Sequence, residues 1–178
     1  IASADNPTKF KYEEGKWDYW YWNESNYAGQ KANLYVKQQS EQQYDVAGDG
    51  TITKTITTTV RNDQKNDWWL NGRYRAYFRA FVPEGSILIK GSGAKEEIGA
   101  FQQYGKTVFD GFYELSPQQT PVKITLQYKL PFKVKKGEDL NMLFQQQPGT
   151  TGFKYILNGV GDKQEFDLSK DQKLTVKL

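Results

Sequence analysis

Residues 50–60, GTITKTITTTV, set the period of this chain. The odd positions Thr51, Thr53, Thr55, Thr57 and Thr59 are all threonine, and Ile52, Ile56 and Val60 fall on even positions. Successive strand side chains point to opposite faces. This alternation therefore predicts a half-buried β-strand with a β-branched outer face. The Gly48-Asp49-Gly50 run just before it is a turn signal. KANLYVKQQSEQQYDV (31–46) reads as the hairpin partner, with exposed glutamines.

The same period continues downstream. In GRYRAYFRAFVPEGS (72–86), Tyr74, Phe78 and Val82 share one face with Ala76 and Ala80, while Arg73, Arg75, Tyr77 and Arg79 share the other. Pro83 and Gly85 close that strand. SILIKGSG, KTVFDGFYEL, VKITLQYKLPF, LNMLFQQQPGT, FKYILNGV and QKLTVKL supply further strands, with Val122, Ile124, Leu126 and Tyr128 on one face. No stretch carries a capped helical period. Short strands punctuated by Gly and Pro predict an all-β fold: an antiparallel β-sandwich of immunoglobulin-like type. Residues 31–178 are expected to form the sandwich domain, and 1–30 an aromatic-rich N-terminal extension packed on it.

Composition narrows the function classes. The 178 residues suit one domain, and 15% of them are aromatic despite a mean hydropathy of -0.80. Twenty-four basic and 21 acidic residues leave a net charge of +3, a mixed surface unlike that of a nucleic-acid binder. No apolar run is long enough to cross a bilayer. The sequence holds no cysteine and no histidine. Disulfides, thiolate nucleophiles, cysteine zinc sites and Ser-His-Asp chemistry are excluded within the chain. No cofactor or metal is expected. The chain starts at Ile1 without a signal peptide, which suggests a fragment of a longer or processed protein.

Four stretches occur together in order: YWNESNYAGQKANLYVKQQ, TVRNDQKNDWWLNGRYRAYFRAFVPEGSILIKGSG, GKTVFDGFYELSPQQTPVKITLQYKLP and LFQQQPGT. Together they resemble the C-terminal region of a bacterial domain-of-unknown-function family, the one numbered four-thousand-and-twelve. The WLNG, VPEGS and QQPGT elements are the most specific parts. The resemblance implies an N-terminal membrane anchor with the remainder outside the cytoplasm, at the cell surface. That family has no established activity, so no catalytic residue carries over. The expected function is a non-catalytic extracytoplasmic interaction or scaffold domain, with a protein partner or a cell-surface glycan. The alternative is a carbohydrate or cell-wall binding module that uses exposed Trp and Tyr.

The candidate contact residues are aromatic and basic. Trp17, Asp18, Tyr19, Trp20, Tyr21 and Trp22 form a strand with two aromatic faces. Asp18 shares its face with Trp20 and Trp22, and an unpaired carboxylate is disfavoured in a core. Trp17, Tyr19 and Tyr21 are therefore expected to pack, leaving Trp20 and Trp22 for a partner. Trp68 and Trp69 lie beside Asn and Asp in a loop, a make-up common to sugar contacts and loop anchors. The row Arg73, Arg75 and Arg79 suits an anionic polymer or a solvated face paired with acids. Asp18, Glu24, Glu96, Glu97, Asp110 and Glu114 show no spacing that marks a glycosidase pair. DVAGDG and RNDQKND hold possible calcium ligands without an EF-hand spacing. An intramolecular bond from lysine to asparagine would need a buried Lys, an Asn and an acid together, and the sequence singles out no such trio.

Overall fold

The computed structural model describes residues 16–67, 69–150 and 152–178. Twelve strands carry the fold: β1 (Trp17–Asn26), β2 (Lys37–Val46), β3 (Thr51–Arg61), β4 (Tyr74–Pro83), β5 (Ile87–Ser92), β6 (Gly99–Gln103), β7 (Lys106–Leu115), β8 (Val122–Lys133), β9 (Asp139–Gln145), β10 (Phe153–Asn158), β11 (Gln164–Leu168) and β12 (Gln172–Lys177). One turn of 3-10 helix, Ala32–Leu34, joins β1 to β2. The strands form two six-stranded sheets, one in the order β12-β9-β1-β4-β7-β6 and the other β11-β10-β2-β3-β8-β5. The fold is a β-sandwich.

Most pairings are antiparallel, as the hairpin signals require. β2 pairs with β3 from Lys37↔Arg61 to Val46↔Ile52. β6 and β7 meet through Tyr104-Gly105, both at positive φ, the signature of a two-residue hairpin turn. Two pairings are parallel, β1 with β9 and β10 with β2. Parallel neighbours need long crossovers, and here each crossover passes through the opposite sheet. The alternation in the sequence gives face but not direction, so these two pairings were not legible in it.

The core face follows the predicted parity. Ile52, Ile56, Val60, Tyr74, Phe78, Val82, Ile124, Leu126 and Tyr128 are all buried, while Thr53, Thr55 and Thr57 lie half-buried on the outer face. Phe78 stacks on Trp22 with ring centroids 4.7 Å apart and planes 6° apart. The boundary expected at residue 30 has no counterpart in the sheets. β1 lies inside the first sheet, hydrogen-bonded to β9 on one side and β4 on the other. Residues 17–26 are therefore part of the sandwich, and residues 1–15 of the expected extension fall outside the described residues. Replacing Phe78 with Ala should cost about 3–5 kcal/mol in urea unfolding. Thr55→Ala should stay within about 1 kcal/mol of the parent; similar losses for the two would put the strand one residue out of register.

Candidate functional site

β1 decides where the site lies. Its inner face carries Asp18, Trp20, Trp22 and Glu24, all buried between the sheets. The expectation that Trp20 and Trp22 meet a partner is overturned: they are 1% and 3% exposed and sit in the main core. Trp17, Tyr19 and Tyr21 are on the outer face, beside Phe81, Val108 and Leu143. The inference failed at Asp18, because the carboxylate is buried but paired. Lys54 Nζ lies 2.6 Å from Asp18 Oδ2, and the Tyr44 hydroxyl donates to the same oxygen at 2.7 Å. Lys54 itself is fully buried, with its ammonium 4.7 Å from the Tyr44 ring centroid, 5.5 Å from Trp20 and 5.6 Å from Phe144. Burial pulls the Lys54 amine below its ordinary range, and the Asp18 charge opposes that pull. The signal was present in the sequence: Lys54 occupies an even, core-facing position between Ile52 and Ile56.

A second buried acid stands at the far end of the same strand face. Glu24 accepts hydrogen bonds from the Tyr113 hydroxyl and from Gln38 Nε2. Its backbone is held by the loop after β9. Gln147 Oε1 accepts from Glu24 N at 2.8 Å, and Gln147 Nε2 donates to Glu24 O at 2.9 Å. The side-chain amide of Gln147 thus continues the β1–β9 ladder past Gln145, where strand pairing ends. This gives QQQPGT a structural role. The loop and the 3-10 turn border a cavity of about 340 Å³ onto which Glu24, Gln38 and Tyr74 open. Desolvation pushes the Glu24 carboxyl up to about 7, against the lowering effect of its donors.

The outer face of the first sheet holds the exposed aromatics. Tyr27 is 65% and Phe112 44% exposed. The Tyr27 ring meets Tyr77 at 6.4 Å and 83° and Phe112 at 6.1 Å and 64°, while Tyr77 and Phe112 are 4.8 Å apart at 34°. The arginine row borders this cluster. Arg73 and Arg75 approach Glu114 at 3.5 and 3.4 Å, and Lys95 joins the same carboxylate at 2.9 Å. Arg79 donates to Asn23 Oδ1 at 2.7 Å and lies over Phe81. Tyr77 donates to Asp110 at 2.5 Å. The sequence placed the arginines and Tyr77 on one face correctly. It missed Tyr27 and Phe112, since contact between them depends on where β1 ends beside β4 and β7.

The remaining candidates are not gathered into a site. Trp69 is 68% exposed in the loop anchored by Asn62 and Asn71, whose side chains bond each other at 2.7 Å. Trp68 lies outside the described residues. Asp18 and Glu24 are six residues apart on one strand, about 20 Å, too far for a carboxylate pair. Glu96 and Glu97 are exposed on the loop before β6. In the turn Asp49 binds Lys133 at 2.5 Å, and Asp63 sits near Arg61 and Lys37. Among the described residues no group of three or more His, Cys, Asp or Glu is placed to hold a metal ion. No helix among them is long and apolar enough to cross a membrane.

No family model matches the chain, and no curated protein matches it. Among solved structures it is similar to the M1 zinc metallopeptidase of Deinococcus radiodurans. A mutant of that enzyme bound to a Tyr-Ser-Ala substrate aligns at 13% identity and a TM-score of 0.31, covering 80% of this chain and 39% of that one. Another structure of the M1 zinc metallopeptidase from that organism gives 12% and 0.30, covering 80% and 38%. The chain thus spans about two fifths of the length of these proteins, and at this likeness the match assigns nothing to it.

Glu24 sets a pH dependence. Its folded pKa of about 7 lies above the ordinary 4.5, so the folded state holds the proton more tightly than the unfolded chain. Its contribution to stability is complete below about 4.5, declines as pH rises to about 7, and is level above that. Glu24→Gln keeps a neutral acceptor at this position. Denaturation curves should therefore show the variant gaining on the parent as pH rises through this window; parallel pH profiles would show that the carboxyl is not held protonated.

Proposed function

We propose that this chain is a non-catalytic interaction domain that engages a partner protein through the outer face of its first sheet. The observation that carries the reading is the exposed ring cluster Tyr27, Tyr77 and Phe112 beside the arginine row. Tyr and Arg are residues that interfaces favour, Tyr because it buries much area for little rotamer entropy and Arg because its planar guanidinium stacks and donates several hydrogen bonds at once. Arg73, Arg75 and Lys95 share the single Glu114 carboxylate, so the rim carries an excess of positive charge. A complementary partner surface is apolar at its centre and acidic at its edge.

The glycan alternative has less support. A sugar platform needs rings that lie in one plane, and Tyr27 stands at 83° and 64° to its neighbours. The resemblance carried by the WLNG, VPEGS and QQPGT elements implies an extracytoplasmic position at a bacterial surface, and the interaction reading is consistent with that position. The lack of His and Cys supports a binding role over a catalytic one.

The test is a photo-crosslinking amino acid at position 112, in cells that make the whole protein. A discrete protein adduct should form and vanish when Tyr27→Ser and Arg75→Glu are added, with the melting temperature unchanged. Glycan-array binding that the same substitutions abolish would transfer the face to the carbohydrate reading. No adduct and no glycan binding would remove the interaction reading.

A further inference from the structure

The geometry points to a covalent cross-link between the two sheets: an amide joining Lys54 Nζ to Asp18 Cγ, formed with loss of water. Lys54 Nζ lies 2.6 Å from Asp18 Oδ2, within reach of the carboxyl carbon, and both side chains are at most 1% exposed. Holding two reacting groups at contact removes most of the entropic barrier to a bimolecular step. The two residues also sit on opposite sheets, Asp18 on β1 and Lys54 on β3. A bond here would staple the sandwich through its centre.

The surroundings disfavour a charge on the amine. Tyr44, Trp20 and Phe144 ring the ammonium, and no water-exposed edge is left on either group. In so dry a site an ion pair carries a desolvation penalty on each charge. Burial already pulls the Lys54 amine down, toward its uncharged form. Moving a proton from Nζ to Oδ2 along the contact gives a free amine and a carboxylic acid.

The step then balances with no further reactant. The amine lone pair attacks Cγ, and the new C–N bond gives a tetrahedral centre. The Cγ–Oδ2 bond breaks. Oδ2 leaves as water, carrying the carboxyl proton and one proton from the amine. Tyr44 donates to Oδ2 at 2.7 Å, so its hydroxyl can protonate the departing oxygen and recover the amine proton. Asp18 Oδ1 remains as the amide carbonyl. In the ion pair that oxygen is buried with no hydrogen-bond partner among the described residues, as is the Tyr128 hydroxyl. An orphaned carboxylate oxygen is expensive to keep charged and far less so as a neutral carbonyl. The inference stands apart from the partner-binding reading, since nothing in it uses the outer face.

Intact mass spectrometry of the purified, folded chain decides the matter. The expected mass is one water below the sequence mass, with a branched proteolytic peptide joining β1 to β3 through Asp18 and Lys54. Asp18→Asn should give the same branch with loss of ammonia in place of water. Lys54→Met and Asp18→Ala should restore the full sequence mass. Because the parent protein itself gives the primary readout, a variant that fails to fold leaves the test intact. A parent at full sequence mass, or a branch at other residues, overturns the cross-link and leaves an ion pair.

Discussion

The contact between Asp18 and Lys54 is the constraint around which the sandwich is arranged. Two opposite charges inside a β core are tolerable only if each meets the other and their remaining valences are covered. That fixes three strands at once. β1 must present Asp18 inward, β3 must present Lys54 at the same depth, and β2 must bring the Tyr44 hydroxyl onto the shared oxygen. β10 adds a fourth tie, since Trp20 Nε1 donates to the Tyr155 hydroxyl at 3.1 Å. A one-residue slip of β1 would turn Asp18 outward and leave Lys54 buried alone, an error of about 3–5 kcal/mol for the stranded charge. The polar pair thus specifies register more sharply than the surrounding aromatics do.

The same strand face repeats the device at its other end with a different solution. Among the described residues, Glu24 has no cation beside it. It is surrounded by donors, Tyr113 and Gln38, and its backbone is clasped by Gln147. Without a compensating charge, desolvation dominates, and the carboxyl rises to about 7. Two acids on one strand therefore have opposite environments, one held against the Lys54 amine and one whose carboxyl burial pushes up to about 7. β1 is the strand on which both depend: its inner face sets an acid at each end of the pair Trp20 and Trp22.

Much of this architecture was legible in the sequence. The threonine alternation of β3, the turn before it and the parity of β4 and β8 gave the core face residue by residue. Direction and sheet order were not legible, because alternation is blind to whether neighbouring strands run together or apart. The reading of β1 inverted for a related reason. A lone carboxylate on a strand reads as a marker of water, but its partner stands 36 residues away on a strand whose own parity places a lysine inside. Single-strand reasoning cannot see cross-sheet pairs. The informative pattern was two rule-breaking residues of opposite sign on two separately predicted core faces.

The two outer faces differ in a way the core does not require. The second sheet shows water Thr, Gln, Lys and Glu, such as Thr57 bonded to Thr125 and Gln127 bonded to Thr55 across β3 and β8. That face satisfies itself laterally across β3 and β8, and its exposed apolar side chains, Ile87 and Ile89, lie on the edge strand β5. The first sheet instead carries Tyr21 against Phe81 and Tyr77 against Phe112, with arginines between. Tyr19 and Phe81 on this face are buried and contribute to folding, whereas exposed rings such as Tyr27 and Phe112 add less. Rings kept at that position, at the risk of non-specific association, point to a surface shaped by contact with something else. The interaction reading proposed above therefore rests on the cluster of Tyr27, Tyr77 and Phe112, which has no aromatic counterpart among the described residues of the second sheet's outer face.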